Sequence, residues 1–295
     1  GTVFFYSPGG ILIGASSVFD VGNLVLTTSD LNYNTTDGSF DTSGAYVFQP
    51  ASVAGSQIVV SAGAQLGATT DGSYIAMVAP SVVNNGTITV NGSAALVAAD
   101  AATITFSPSG LFDIQVDSGT SATGTVAANN GTITGPAATD PSFLHRIYMV
   151  AVPKNDAITM AIGAGSSLGF DIAGAADVSG NTIVLSAGNN VVGGSAQNFA
   201  SSGGGTGLAG ISGGDADFTS NLEARLTGQF QLGSGTSAGL NLASNVFVSS
   251  SGGDVSIFAN AGGQVNFAAN VEFYADRSSG NPAVAAVGGQ AELYA

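Results

Sequence analysis

Acidic side chains are the main chemical material of this 295-residue chain, with 19 Asp and Glu against four Lys and Arg, one His and no Cys. Asp215 and Asp217, in GGDADF, would share one strand face about 6.6 Å apart, near the separation of glycosidase carboxylates. Two carboxylates at that spacing also arise on any solvated acidic strand, and they are read here as surface charges. Asp113 and Asp117 would lie about 13 Å apart by the same rise, too far for shared chemistry. His145 stands beside Arg146 in SFLHRIYMVAVPKNDAITM. With no Cys and no second His it completes neither a usual zinc site nor a serine triad, so its role is structural or at the surface. The calcium-binding nonapeptide Gly-Gly-Xaa-Gly-Xaa-Asp is missing, because GGDADF and GGDVSI place the acid directly after the glycines. Sequons occur at Asn34, Asn85, Asn91 and Asn130, and three of the four continue with Gly, which points to turns. No catalytic, metal or cofactor residue is assigned, and the chain reads as a non-enzyme.

Any such residues would have to be positioned by short strands. Gly numbers 44 and charged residues make up 8% of the chain. Good helix formers are scarce, while Val, Ile, Thr, Phe and Tyr recur in short runs between Gly, Asn, Asp and Ser. Mean hydropathy is +0.37, yet no apolar run approaches the roughly 18 residues of a spanning helix, and membrane insertion is not expected. A net charge of −15 leaves only Arg146, Lys154, Arg225 and Arg277 to neutralise phosphate, which argues against a nucleic-acid partner. The lack of Cys leaves the compartment open. No basic segment precedes an apolar one at Gly1, so a signal for export would lie upstream.

Internal repeats set the architecture. GSYIAMVA starts at Gly72 and GSAALVAA at Gly92, 20 residues on; NNGTIT starts at Asn84 and again at Asn129, 45 on, about two rungs of 22 or 23. Gly-Gly-Xaa strands start at Gly213, Gly252, Gly262 and Gly288. A period near 20 suits an all-β, right-handed parallel β-helix of roughly 14 rungs, stacking at about 4.8 Å into a rod on the order of 65 Å long. Alternation points Phe112, Ile114 and Val116 into the lumen, with Asp113, Gln115 and Asp117 outside. Val255, Ile257, Val265 and Phe267 should also face in, and Phe247, Phe258, Phe267 and Phe273 could stack between rungs. Asn85–Gly86 and Asn130–Gly131 are the repeat turns. SSGGGTGLAG, from Ser201 to Gly210, reads as a projecting loop or a flexible linker. The break near residue 140 divides a region 1–140 from continuing repeats over 141–295.

Residues 3 to 31, VFFYSPGGILIGASSVFDVGNLVLTTSDL, resemble the secretion domain of two-partner-secreted exoproteins of the filamentous-haemagglutinin family. The family's Asn-Pro-Asn-Gly-Ile turn falls on Ser7, Pro8, Gly9, Gly10 and Ile11, with Ser7 and Gly9 in place of the asparagines. Gly14, Val18, Val21, Gly22, Leu24, Val25 and Asp30 follow the same pattern. Residues 72 to 116 look like the second half of that domain, so the resemblance covers roughly the first 134 residues; both termini read as cut from a longer rod. It implies secretion through an outer-membrane two-partner transporter to the bacterial surface or the extracellular space. The function expected is that of an adhesin or structural fibre contacting a host or neighbouring cell surface or matrix by multivalent binding. Self-assembly by end-to-end stacking is one alternative; a polysaccharide-binding or polysaccharide-degrading β-helix is another.

Overall fold

The computed structural model describes residues 1–31, 33–34, 39–40, 45–50, 53–106, 112–136, 139–140, 143, 145–154, 158–162 and 167–168. Beyond these it describes 182–187, 190–193, 197–198, 207–212, 216–218, 222–226, 230–236, 239–242, 246–250, 255–260, 264–267, 270–275 and 291–294. Within them the regular elements are all strands.

Three parallel ladders form a β-helix-like stack. On the first face Thr2–Tyr6 pairs with Asn23–Thr27, then residues 75–78, 93–98, Arg146–Ala151, Thr182–Ala187, Gly207–Ser212, Phe230–Thr236, Val255–Asn260 and Ala291–Tyr294 follow. The second face runs from Ile11–Ile13 through Gln57–Val60, Ser81–Asn84 and Gly124–Asn129 to Gln264–Phe267. The third runs from Val18–Asp20 through residues 65–68, 87–90 and Thr132–Thr134 to Val271–Ala275. Each coil therefore contributes one strand to each face.

The coil count falls short of the sequence estimate. Among the described residues, ten strands on the first face make nine steps, a rise of roughly 43 Å at about 4.8 Å each, and not the 14 rungs expected. The reason lies in the spacing: Thr2 pairs with Asn23, 21 residues on; Leu24 with Ile75, 51 on; Ile75 with Ala94, 19 on; Ser93 with Arg146, 53 on. Some coils carry long detours. The two NNGTIT strings are accordingly one coil apart, not two, because Asn84 pairs directly with Asn129. GSYIAMVA and GSAALVAA are offset by 19, not 20: Ala94 sits beside Ile75, with a register shift between Val90 and Gly92. That single residue decides which side chains point inward.

Inward positions are filled by aliphatics in register, with Leu24, Ile75, Leu26, Met77 and Leu96 all fully buried on the first face. Ile58, Val60 and Val82 fill the second face, and Leu66, Ile88, Ile133 and Leu168 the third. In the C-terminal coils Ile257 is buried in this core and Val265 and Phe267 pack against it, as alternation predicts. Phe258 is different: it pairs with Gly233 and its ring lies over the bare Gly233 backbone, on the face opposite Ile257. Phe247 pairs with Glu272 and Phe273 with Val248, so these two positions are not in register with one another.

The lumen assignment of Phe112, Ile114 and Val116 is wrong. Residues 99–106 leave the stack, pair antiparallel with Ala45–Phe48 on one side and Phe112–Gly119 on the other, and fold over the outside of the first face. This flap buries a second core: Val25, Ala76, Val78, Ala95, Val97, Tyr148 and Val150 from the stack against Phe48, Ala102, Ile104 and Phe112, with Ile114 and Val116 packed on it. Alternation reports an apolar face but cannot say which apolar surface it meets. Of SSGGGTGLAG, residues 201–206 lie outside the described residues, while Gly207–Ser212 is a ladder strand and not part of a loop.

Candidate functional site

The turn at residues 7–11 carries the chain from the first face to the second on the first coil. Ser7 N–H donates to Thr27 O at 3.1 Å, and Gly10 N–H closes the turn onto Ser7 O at 3.1 Å. Pro8 presets the second turn position. Gly10 has φ +122°, and a Cβ there would sit 3.1 Å from Gln57 O, so both the conformation and the neighbouring coil demand glycine. Gly9 is exposed with nothing close to its missing side chain, so it tolerates replacement. Ile11 then enters the second-face ladder opposite Ile58 and packs on the core.

The repeat turns stack corner on corner. Asn84 and Asn129 are both fully buried, and Asn84 Nδ2 donates to Asn129 Oδ1 at 2.7 Å. Asn84 Oδ1 accepts from Gly86 N–H at 3.1 Å, and Asn129 Nδ2 donates to Gly131 O at 2.9 Å. One position on, exposed Asn130 donates to Asn85 Oδ1 at 2.7 Å. A Cβ on Gly131 would meet Gly86 O at 2.1 Å, so this close backbone approach excludes any other residue. These asparagines hold the second-to-third-face corner in step.

The flap is tied down at both ends. Tyr148 Oη donates to Phe112 O at 2.7 Å and accepts from Phe112 N–H at 3.1 Å, and the two rings stack at 5.6 Å. Phe4, Tyr46, Phe106, Tyr74 and Phe112 continue the cluster by edge contacts, such as Tyr46 to Phe106 at 4.8 Å, and by a tilted contact of Tyr74 with Phe106 at 4.3 Å. Burial raises the hydroxyl pKa of both Tyr74 and Tyr148. The Arg146 guanidinium lies over Tyr148 at 5.8 Å from the ring centroid. At the base, buried Asp100 accepts from Ser121 N–H and Oγ, each at 2.9 Å, and from Lys154 Nζ at 3.3 Å. Thr120 Oγ1 donates to Pro80 O at 2.6 Å.

His145 has a structural place. It is buried, and its Nε2 lies 2.7 Å from Asn91 Oδ1. Asn91 Nδ2 donates to Asp71 Oδ1 at 2.7 Å, so its oxygen faces the imidazole and Nε2 is the donor. Asp71 also accepts from the Thr139 hydroxyl and from the Thr139 and Asp140 backbone N–H groups at 3.2 Å. The Thr139 hydroxyl, more than any other contact, lowers the Asp71 pKa. Thr139, Asp140 and His145 thus tie Asp71 of the strand Gln65–Ala79 to Asn91 of the strand Thr87–Phe106, with Phe143 over Gly72.

Of the candidate acids, Asp113 and Asp117 are exposed on the flap, where Thr103 and Gln115 donate to Asp117. Asp215 lies outside the described residues, as do Gly213, Gly252, Gly262 and Gly288. The Asp217 backbone sits in register with Val192 and Asn241. Asn34 pairs with Ser39 in a short hairpin. Sequence reasoning missed Asp71, Asp100 and Tyr148, whose partners lie 20 to 69 residues away. It also missed an open trough of about 360 Å³ on the outer third face, lined by Val18, Asp20, Gln65, Gly67, Thr87 and Thr89 among others.

No family model and no curated protein sequence matches the chain. Among solved structures, the crystal structure of the HMW1 secretion domain from Haemophilus influenzae aligns with 92% of this chain and 78% of its own, with a TM-score of 0.53 at 16% sequence identity. At that identity the likeness is one of fold: an all-β, β-helix-like chain resembling a secretion domain.

Proposed function

We propose that the chain belongs to the secretion domain of a filamentous-haemagglutinin-like exoprotein, a right-handed parallel β-helix that leaves the bacterial cell through a two-partner outer-membrane transporter. Once outside, it acts as an adhesin or structural rod at the cell surface, by multivalent non-covalent binding without turnover. The observation that carries this reading is the fold likeness to the HMW1 secretion domain along nearly the whole chain. The Ser7–Ile11 turn, in the place of the family's motif, supports it.

Transporter-dependent export is the test. The chain is placed behind a periplasmic export signal and expressed with or without a two-partner transporter, and the protein in the medium is measured. Appearance only with the transporter supports the proposal; equal amounts with and without it end the secretion reading. Adhesion is tested separately, by binding of the purified chain to epithelial cells and to extracellular matrix.

A further inference from the structure

The third face carries an open, largely polar trough on its outer surface. Val18 pairs with Gln65 and Gln65 with Thr87, while Asp20 pairs with Gly67 and Gly67 with Thr89, giving two outward columns across three successive coils. Gly67 has no side chain between Asp20 and Thr89, and the missing side chain forms the floor of the trough. Gln65, Thr69, Thr87 and Asp20 are exposed around it, and Val18, 69% exposed, forms an apolar wall. Phe19, Leu66 and Ile88 alternate with these residues and belong to the inner core or pack against it, so the floor rests on the stack and is not a loose loop.

The lining selects a ligand class. It offers three hydroxyls, one carboxamide and one carboxylate, with Val18, Phe19 and Leu66 as apolar surface and no cation. Anionic ligands such as phosphates, sulfates and uronates would meet Asp20 with no compensating charge. A ligand with many hydroxyls, donating to Asp20 and exchanging hydrogen bonds with Gln65 and the threonines, fits. Two coil steps span about 10 Å, room for two sugar rings lying along the stack.

We infer that the trough over Val18, Asp20, Gln65, Gly67, Thr87 and Thr89 is a binding site for a neutral oligosaccharide. This deepens the adhesive reading by giving the contact surface a ligand chemistry. A shallow site of this kind binds weakly in isolation and gains strength through repetition on a surface.

The test uses the full 295-residue chain with cellotriose, maltotriose and chitotriose as separate probes and trigalacturonate as the anionic control, followed by calorimetry and saturation-transfer NMR. Saturable binding of at least one neutral probe is expected, with trigalacturonate not binding. Affinity should fall about tenfold or more in Thr87→Val and Thr89→Val, which keep shape while removing hydroxyls. Gly67→Val fills the floor and should abolish binding. Because a Cβ at Gly67 would sit 3.1 Å from Phe19 O, the threonine variants keep the test decisive if that variant misfolds. No saturable binding by any neutral probe, unchanged affinity in the threonine variants, or equal binding of trigalacturonate would overturn the inference. Cell binding that survives in Thr87→Val and Thr89→Val alongside lost sugar binding would spare the adhesive reading and sink its assignment to this trough. Sugar binding without any cell or matrix binding would do the reverse.

Discussion

The first face of the stack is built in two manners, and the outward column shows why. Under the flap the outward side chains are Val25, Ala76, Ala95 and Tyr148 in succession, all buried against a second core. Further along the same register line come Val184 and Ala209, and then Gln231, Ser256 and Glu292. Where the chain folds back over the ladder the residues of this line are apolar and buried; along Phe230–Thr236, Val255–Asn260 and Ala291–Tyr294 the same line carries polar residue types. The inner core continues into these coils with Leu232 and Ile257, both buried. On this line the fully buried apolar run coincides with the flap that covers it.

The sharpest way to break this comparison is to cut the two cores separately. Leu96→Ala, in the inner core, should destabilise the chain by about 2–5 kcal/mol, whereas Val97→Ala, under the flap, should cost about 1–2 kcal/mol. Chemical denaturation measures both; equal losses would mean that the flap core is as essential as the stack. Tyr148→Phe removes the hydroxyl bonded to both backbone groups of Phe112 and should cost about 1–3 kcal/mol. Hydrogen exchange should then lose protection over residues 112–119 while the ladder amides of Arg146–Ala151 keep theirs. Asn130→Ala, at an exposed corner, should cost no more than about 1 kcal/mol, less than Asn129→Ala at the buried corner, which leaves Asn84 Nδ2 without its acceptor.

The smallest effect concerns the strap formed by Thr139 and Asp140 on Asp71. Asp71 has a folded pKa below its ordinary 3.8 because the Thr139 hydroxyl and its neighbours donate to it. A depressed carboxylate pKa means that its contribution is complete above the ordinary value and fades as pH falls through the lower folded value. Exchange at Thr139 and Asp140 should therefore be constant from neutral pH down to about 4 after correction for the intrinsic rate, and accelerate below it. Asp71→Asn should show the faster exchange at every pH. Insensitivity of these amides to both changes would show that the strap is held elsewhere.

Much of the stack was legible in the sequence because it depends on local signals. Short β-branched runs, Asn-Gly corners and inward Ile257, Val265 and Phe267 follow from alternation and turn chemistry alone. The rung count and the flap were not legible, for one physical reason. A repeat in sequence measures the contour of the chain, whereas a ladder measures only where the chain returns, so the detour through residues 99–119 hid one coil inside what looked like two. LFDIQVD alternates equally well against a lumen or against an outer wall. Asp71, Asp100 and Tyr148 carry no local pattern at all, since each acts on a partner brought near by stacking. The Ser7–Ile11 turn was legible as a turn, while the requirement for glycine at position 10 came from the Gln57 backbone of the next coil.

The register shift between Val90 and Gly92 lets one coil pair at an offset of 22 residues on its third face and 19 on its first. Neighbouring coils need not be equal in length, provided that each corner brings the chain back into phase. Such a molecule can host a foreign segment at a corner, or lose one, without disturbing the strands above and below. New surface features can thus be acquired by lengthening the path between two fixed points of return, while the aliphatic interior that keeps the coils aligned stays unchanged.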